Sequence, residues 1–127
     1  MVTTGTVMGK HPTLLAIYAH PDDEVLGAGG TLALYAAMGV HVALVVATRA
    51  LGISELIFLD YRDSGMAGSS DNEHPQALVN ASGSEVVSQL ADIIRRLQPG
   101  VVLTFEPYGG YGHPDHISLF DNLAPQD

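Results

Sequence analysis

Apolar runs separated by polar, glycine-rich stretches set the layout of this chain. Residues 14–18 (LLAIY) form a short continuous apolar run, the pattern of a strand covered on both faces. Residues 40–48 (VHVALVVAT) are rich in β-branched side chains and predict a second strand. Residues 56–59 give a short third strand and residues 101–105 (VVLTF) a fourth. Between the first two strands, residues 25–38 are rich in Ala and Leu and predict a helix, with Gly39 placed to stop it. Ser82 and Glu85 have the spacing of a capping box opening a second helix. Val86, Val87, Leu90, Ile94 and Leu97 are then expected on its buried face. Gln98, Pro99 and Gly100 end it, and a last helix is expected from Pro114, since proline is tolerated at a first helical position.

Strands alternating with helices imply an α/β fold: a Rossmann-like, mostly parallel sheet flanked by helices. At 127 residues the chain reads as one domain over residues 14–127, with residues 1–13 as a flexible lead-in. In such sheets ligands bind beyond the carboxyl ends of the strands. The polar, glycine-rich stretch 61–82 is long enough to suggest a functional loop.

Composition narrows the chemistry. There are 14 acidic residues against 5 Lys and Arg, a formal charge of −9, which argues against a nucleic-acid surface or an anionic membrane as partner. With no cysteine, thiolate metal ligands and a cysteine nucleophile are excluded, and a reducing compartment fits. Neither a signal-peptide apolar core nor a span of about 20 apolar residues is evident, so the expected location is cytoplasmic.

The chemistry concentrates in two motifs, each just after a predicted strand: His20-Pro21-Asp22-Asp23 and His113-Pro114-Asp115-His116. If the first and fourth strands are neighbours, the motifs face each other. His20, Asp23 and His116 then supply three N/O ligands, the donor set of a catalytic zinc that keeps one position open for water. Such a water has a pKa near about 7. Asp22, beside a ligand but not one itself, suits a general base. His113, as imidazolium, would stabilise an oxyanion or protonate a leaving amine. Asp115 would orient a histidine from behind. The donor set also admits another divalent transition metal.

Other signals are weaker. One His-Pro-Asp alone is usually turn chemistry; it is the pair, each at a strand end, that points to a metal. Gly27-Ala28-Gly29-Gly30 fails the dinucleotide fingerprint, because position 32 is Leu, and is expected to serve close packing of the helix start on the sheet. Ser64 and Ser69 lack the G-x-S-x-G elbow, so a serine hydrolase is not indicated. His11, His41 and His74 have no ligand-like context.

Ala19-His20-Pro21-Asp22-Asp23-Glu24 with Gly27, Gly29, Gly30 and Thr31, and Gly112-His113-Pro114-Asp115-His116, resemble the two signatures of the PIG-L/LmbE-like zinc de-N-acetylases. Residues 61–66 (YRDSGM) and 107–116 (PYGGYGHPDH) are most similar to the mycothiol-pathway branch. The resemblance implies zinc on His20, Asp23 and His116, and Asp22 as general base. It implies His113 as an oxyanion or leaving-group partner oriented by Asp115, Tyr111 as a carbonyl-polarising group, and Arg49 and Asp63 as sugar contacts. The implied reaction hydrolyses the N-acetyl group of an N-acetylglucosamine-containing small molecule, releasing acetate. Homo-oligomerisation is left open.

Family members are longer. Only about seven residues separate the second and third predicted strands, where a parallel crossover normally takes a dozen or more. The chain therefore reads as a shortened member, and a non-catalytic metal- or sugar-binding module is the alternative reading. A nucleotide-binding domain, resting on the glycine cluster alone, is the weakest.

Overall fold

The computed structural model describes residues 12–47 and 55–124. Its core is a four-stranded, all-parallel sheet in the order β3-β2-β1-β4, with β1 Thr13–Tyr18, β2 His41–Val46, β3 Leu56–Phe58 and β4 Val101–Leu103. The α/β, Rossmann-like expectation holds. All four strands lie within or one residue beyond their predicted positions: β1 gains Thr13, taken from the expected lead-in, and β2 and β4 stop short of Ala47 and Thr104. Residues 1–11 lie outside the described residues.

Among the described residues, three helices cover the sheet: α1 Asp23–Ala37, α2 Gly83–Leu97 and α3 Pro114–Leu123. Consecutive strand residues point to opposite faces, and both faces of β1 are apolar. Leu15, Ile17 and Ala19, with Ala43, Val45 and Ala47, pack under Val86, Leu90 and Ile93 of α2 and Leu119 of α3. Leu14, Ala16 and Tyr18, with Leu44 and Val46, pack under α1 through Leu32. The central strand is thus buried from both sides, as its unbroken apolar run demands.

Local details depart from expectation in three places. Val87 is 43% exposed while Ile93 is buried, because the buried stripe of α2 follows 86, 90 and 93, one turn apart, and Val87 lies beside it. Ser82 is the N-cap of α2, but its side chain bonds the Ser84 hydroxyl at 2.8 Å and makes no capping hydrogen bond. Two of the glycines of α1 are not packed tightly on the sheet: a Cβ on Gly30 would meet nothing within 4 Å, and the nearest atoms to one on Gly27 would be those of the Tyr18 ring, at an ordinary 3.5 Å and beyond. α1 itself is half-dressed, with Leu34, Tyr35 and Met38 exposed on its outer flank.

Glu55 ties the start of β3 into the fold. Its carboxylate takes Arg96 of α2 at 3.0 Å and His41 of β2 at 2.9 Å, and these two partners hold it below the usual carboxylate range. Among the described residues no helix is long and apolar enough to cross a membrane.

Candidate metal centre

β1 and β4 are neighbours in register, Leu14 beside Val101 and Ala16 beside Leu103. That adjacency brings the segments following the two strands, and with them the two motifs, together at the carboxyl edge of the sheet. His20 follows β1. Asp23 is the first residue of α1 and His116 lies in the first turn of α3. His20 Nδ1, Asp23 Oδ2 and His116 Nε2 form a near-equilateral triangle with edges of 3.5, 3.2 and 3.3 Å. Two ligands on a tetrahedral ion about 2.0–2.1 Å away would stand roughly 3.3–3.4 Å apart, so the triangle fits a small divalent metal.

The far nitrogens strengthen that fit. His20 Nε2 lies 2.9 Å from Asp115 Oδ2, and His116 Nδ1 lies 2.9 Å from the Gly109 carbonyl oxygen. Neither oxygen donates, so each imidazole donates there and keeps its other nitrogen's lone pair for the centre of the triangle. This is the carboxylate- or carbonyl-backed histidine of metal sites. Asp23 is fixed as well, because its Oδ2 accepts the His20 N–H at 2.8 Å. Other groupings within metal-binding reach are His20, His113 and His116, and His20, Asp63, His113 and Asp115. The second uses His20 Nε2, which is already committed to Asp115, so we favour the triangle.

Burial and neighbouring charges act in opposite directions on these groups. Burial pulls the His20 imidazolium down, but the Asp115 hydrogen bond and the charges of Asp63, Asp115 and Asp23 outweigh it and raise the net value. Burial pushes the Asp23 carboxyl up, but His116 and the His20 N–H bring it below its ordinary value. Asp115, with no exposed surface, is likewise kept low against its burial by His20 and Ser64.

His113 sits beside this centre as the N-cap of α3. Its ring stacks on His116 at 4.8 Å and meets His20 edge-on at 4.5 Å. Its Nδ1 accepts the Asp115 N–H at 3.2 Å, so in the neutral ring the proton is on Nε2. Burial first, and then the neighbouring His20, lower its pKa, which favours the neutral ring over the imidazolium expected from sequence. The Asp115 carboxylate bonds His20; what His113 receives from Asp115 is the backbone N–H.

The remaining sequence candidates divide by position. A cleft of about 800 Å³ is lined by His20, Asp22, Asp23, Asp63, Tyr111 and His113, with Asp60, Tyr61, Arg62 and Gln76 also on its wall. Asp22 is exposed, with a backbone φ of 131° that side chains rarely adopt. Asp63 Oδ2 is 3.4 Å from His20 Nε2 and its Oδ1 is 3.9 Å from His113 Nε2. Tyr111 is 58% exposed, its ring 5.1 Å from that of His116, and burial and the charges of Asp23, Asp22 and Asp63 raise its pKa. Arg49 lies outside the described residues.

Sequence reasoning missed four supporting residues. Phe105 stacks flat on His116, at 4.0 Å and 8°. Ser64, fully buried, donates its N–H to Asp115 Oδ2 at 3.0 Å, and Asn72 ties down the loop around Ser64. Gly109 takes φ 66°, and a Cβ there would stand 2.6 Å from the His116 Cβ. Glycine next to the second motif was the available signal for this last one. Gly109→Ala is expected to cost at least about 1–2 kcal/mol from the backbone conformation alone, with displacement of His116 added. Thermal melting with and without zinc checks it: the basal Tm and the metal-dependent rise should both fall.

Residues 15–50 and 46–124 match the family described as PIG-L, GlcNAc-PI de-N-acetylase. This chain belongs to the PIG-L family. A 1D-myo-inositol 2-acetamido-2-deoxy-alpha-D-glucopyranoside deacetylase of Saccharomonospora viridis is 40% identical over 143 residues, covering 82% of this chain and 53% of the relative. Deacetylases of the same name from Actinosynnema mirum (39% identical, 84% and 51% covered) and Catenulispora acidiphila (39%, 86% and 49%; deacetylase 2) are similarly close. The chain spans about half the length of the curated PIG-L relatives it matches. A difference also lies inside the match. An alignment of 143 positions covers 82% of a 127-residue chain, so about forty positions of that relative have no counterpart here. The family match itself breaks into two pieces at residues 46–50, just where β2 ends.

Proposed function

We propose that this chain carries the active centre of a zinc-dependent N-deacetylase that hydrolyses the N-acetyl group of an N-acetylglucosamine-containing small molecule and releases acetate. The observation that carries the reading is the ligand triangle of His20, Asp23 and His116, with both imidazoles backed on their far nitrogens. When bound, the metal would acidify a water and polarise the amide carbonyl. Asp22, on the wall of the same cleft, takes the proton from the attacking water and passes it to the departing amine. His113, neutral with its Nε2–H free of Asp115, is a donor for the developing oxyanion, and Tyr111 assists from the cleft lip. Asp63 and Arg49 are proposed to contact sugar hydroxyls.

The relatives' names and the charge of the cleft support this substrate class. Four aspartates line it, and Arg62, its lining cation among the described residues, is engaged by Asp71 at 2.7 Å. Such a wall suits an uncharged sugar and polyol better than a phosphorylated one. Incubation with N-acetylglucosaminyl-inositol should release acetate in a chelator-sensitive manner. The short β2–β3 link favours a second reading, a metal- and sugar-binding module without turnover. Metal and sugar binding with no acetate released would decide for that one.

A further inference from the structure

We infer that this chain holds an apolar pocket beside the metal centre that receives the carbon chain of the amide's acyl group and accepts chains longer than acetyl. The inference rests on the deacetylase reading above and deepens it on the acyl side. An amide carries two substituents, the amine's and the acyl group's. With the sugar in the acidic cleft, the acyl chain needs a place of its own, and a second cavity, of about 360 Å³, adjoins that cleft. The two share Asp23 and Tyr111 on their walls, and the second is lined by His116 as well. Two of the three corners of the ligand triangle therefore border it.

Its walls differ from those of the cleft. In place of a row of aspartates stand the rings of Tyr18, Phe105 and Tyr111. Phe105 meets Tyr18 edge-on at 5.1 Å and lies flat on His116 at 4.0 Å, and Tyr111 meets His116 edge-on at 5.1 Å. Aromatic surface thus runs up to the ligand imidazole. Glu106 is also on the wall, but its carboxylate is engaged by its own loop, accepting the Tyr108 N–H at 2.7 Å and the Gly110 N–H. The space comes from absent side chains. Gly27 stands one turn after Asp23 on α1, on the same face of the helix. Outside the helix backbone, the nearest atom to a Cβ there would be the Tyr18 hydroxyl oxygen, at 3.5 Å. Gly27 and Gly110, both on the wall, are exposed, so the pocket is open to solvent. A water takes up about 30 Å³ and a methyl group is of similar size, so the methyl of an acetyl group leaves most of the pocket unfilled.

The test is binding of acetyl, butanoyl and hexanoyl hydroxamates to the zinc-loaded protein by calorimetry, for wild type and Gly27→Leu. It is run beside kcat/KM for N-acetyl- and N-butanoylglucosaminyl-inositol. A hydroxamate brings its own metal-binding head, so its chain reads the pocket without turnover. In wild type, butanohydroxamate should bind about 10-fold more tightly than acetohydroxamate, each buried methylene being worth roughly four-fold, and kcat/KM should rise in the same direction. In Gly27→Leu the new side chain leans back along α1 over Asp23 and into the pocket. The gain should then shrink to about two-fold or less, the loss of most of that burial. Leucine suits a helix interior better than glycine; should that variant still not fold, Gly27→Met takes its place with the same expectation. Equal affinities along the series in wild type overturn the pocket and leave the deacetylase reading standing. A full gain that survives filling at position 27 overturns it too. A gain with chain length, but no acid released from either amide, supports the pocket and counts against turnover. A wild type that binds no zinc sinks both.

Discussion

Asp22→Asn is expected to lower acetate release by roughly 10²–10⁴-fold, the usual worth of a general base, while zinc affinity stays near wild type. The side chain lines the cleft beside His20 and Asp23 but is not a corner of the ligand triangle. Its backbone makes the case stronger. A φ of 131° with ψ −20° is costly for a residue with a side chain, of order 1–3 kcal/mol, and such strain gathers at functional sites. The reason is local: Asp23 must start α1 with its carboxylate turned back to the His20 N–H, and residue 22 absorbs the bend. Asp22→Gly separates the two roles. It should lose activity as Asp22→Asn does, yet melt at or above the wild-type temperature, since relief of strain offsets the extra freedom glycine gives the unfolded chain. Acetate release together with thermal melting reads both. Near-normal turnover in either variant would remove Asp22 from the mechanism.

What the sequence made legible was whatever depends on short-range pattern. The strand runs, the helix periods and the paired His/Asp motifs each occupy a few residues, and adjacency of β1 and β4 was enough to bring the motifs together. What it hid depends on the third dimension. Nothing in the spacing says that Asp115 faces His20 rather than His113; that follows from how α3 leaves its N-cap. Ser64 looked only like a failed nucleophile, because its partners lie 51 and 15 residues away. Gly27 and Gly30 looked like packing residues because glycines at a helix start after a strand commonly let the helix approach the sheet. α1 lacks cover on the flank of Leu34, Tyr35 and Met38. Strand order supplies a physical link. The steps from β1 to β2 and from β2 to β3 run the same way across the sheet, so right-handed crossovers would both lie on the α1 face. Nine residues join β2 to β3, fewer than such a crossover takes, and the family match breaks at that point.

Zinc should raise the melting temperature of this chain, and Asp23→Asn should abolish the rise. A ligand that binds only the folded state, at about 100 times its Kd, adds about 2.7 kcal/mol. For a domain of this size that is a shift on the order of 10 °C. Asp23 is the cleanest corner to remove. Its amide replacement can still accept the His20 N–H, whereas His116→Ala would also empty the stack against Phe105 and unpair the Gly109 carbonyl. The Asp23→Asn protein should therefore melt near wild type without metal and gain little with it, while acetate release disappears in step. Chelator should return wild type to its metal-free melting temperature. The folded ligand triangle explains why the increment should be large. Three donors already stand at 3.2–3.5 Å from one another, with two of them backed by fixed oxygens, so little ordering is left to oppose binding. A wild-type melt indifferent to zinc, cobalt and iron alike would mean that these side chains meet for some reason other than a metal.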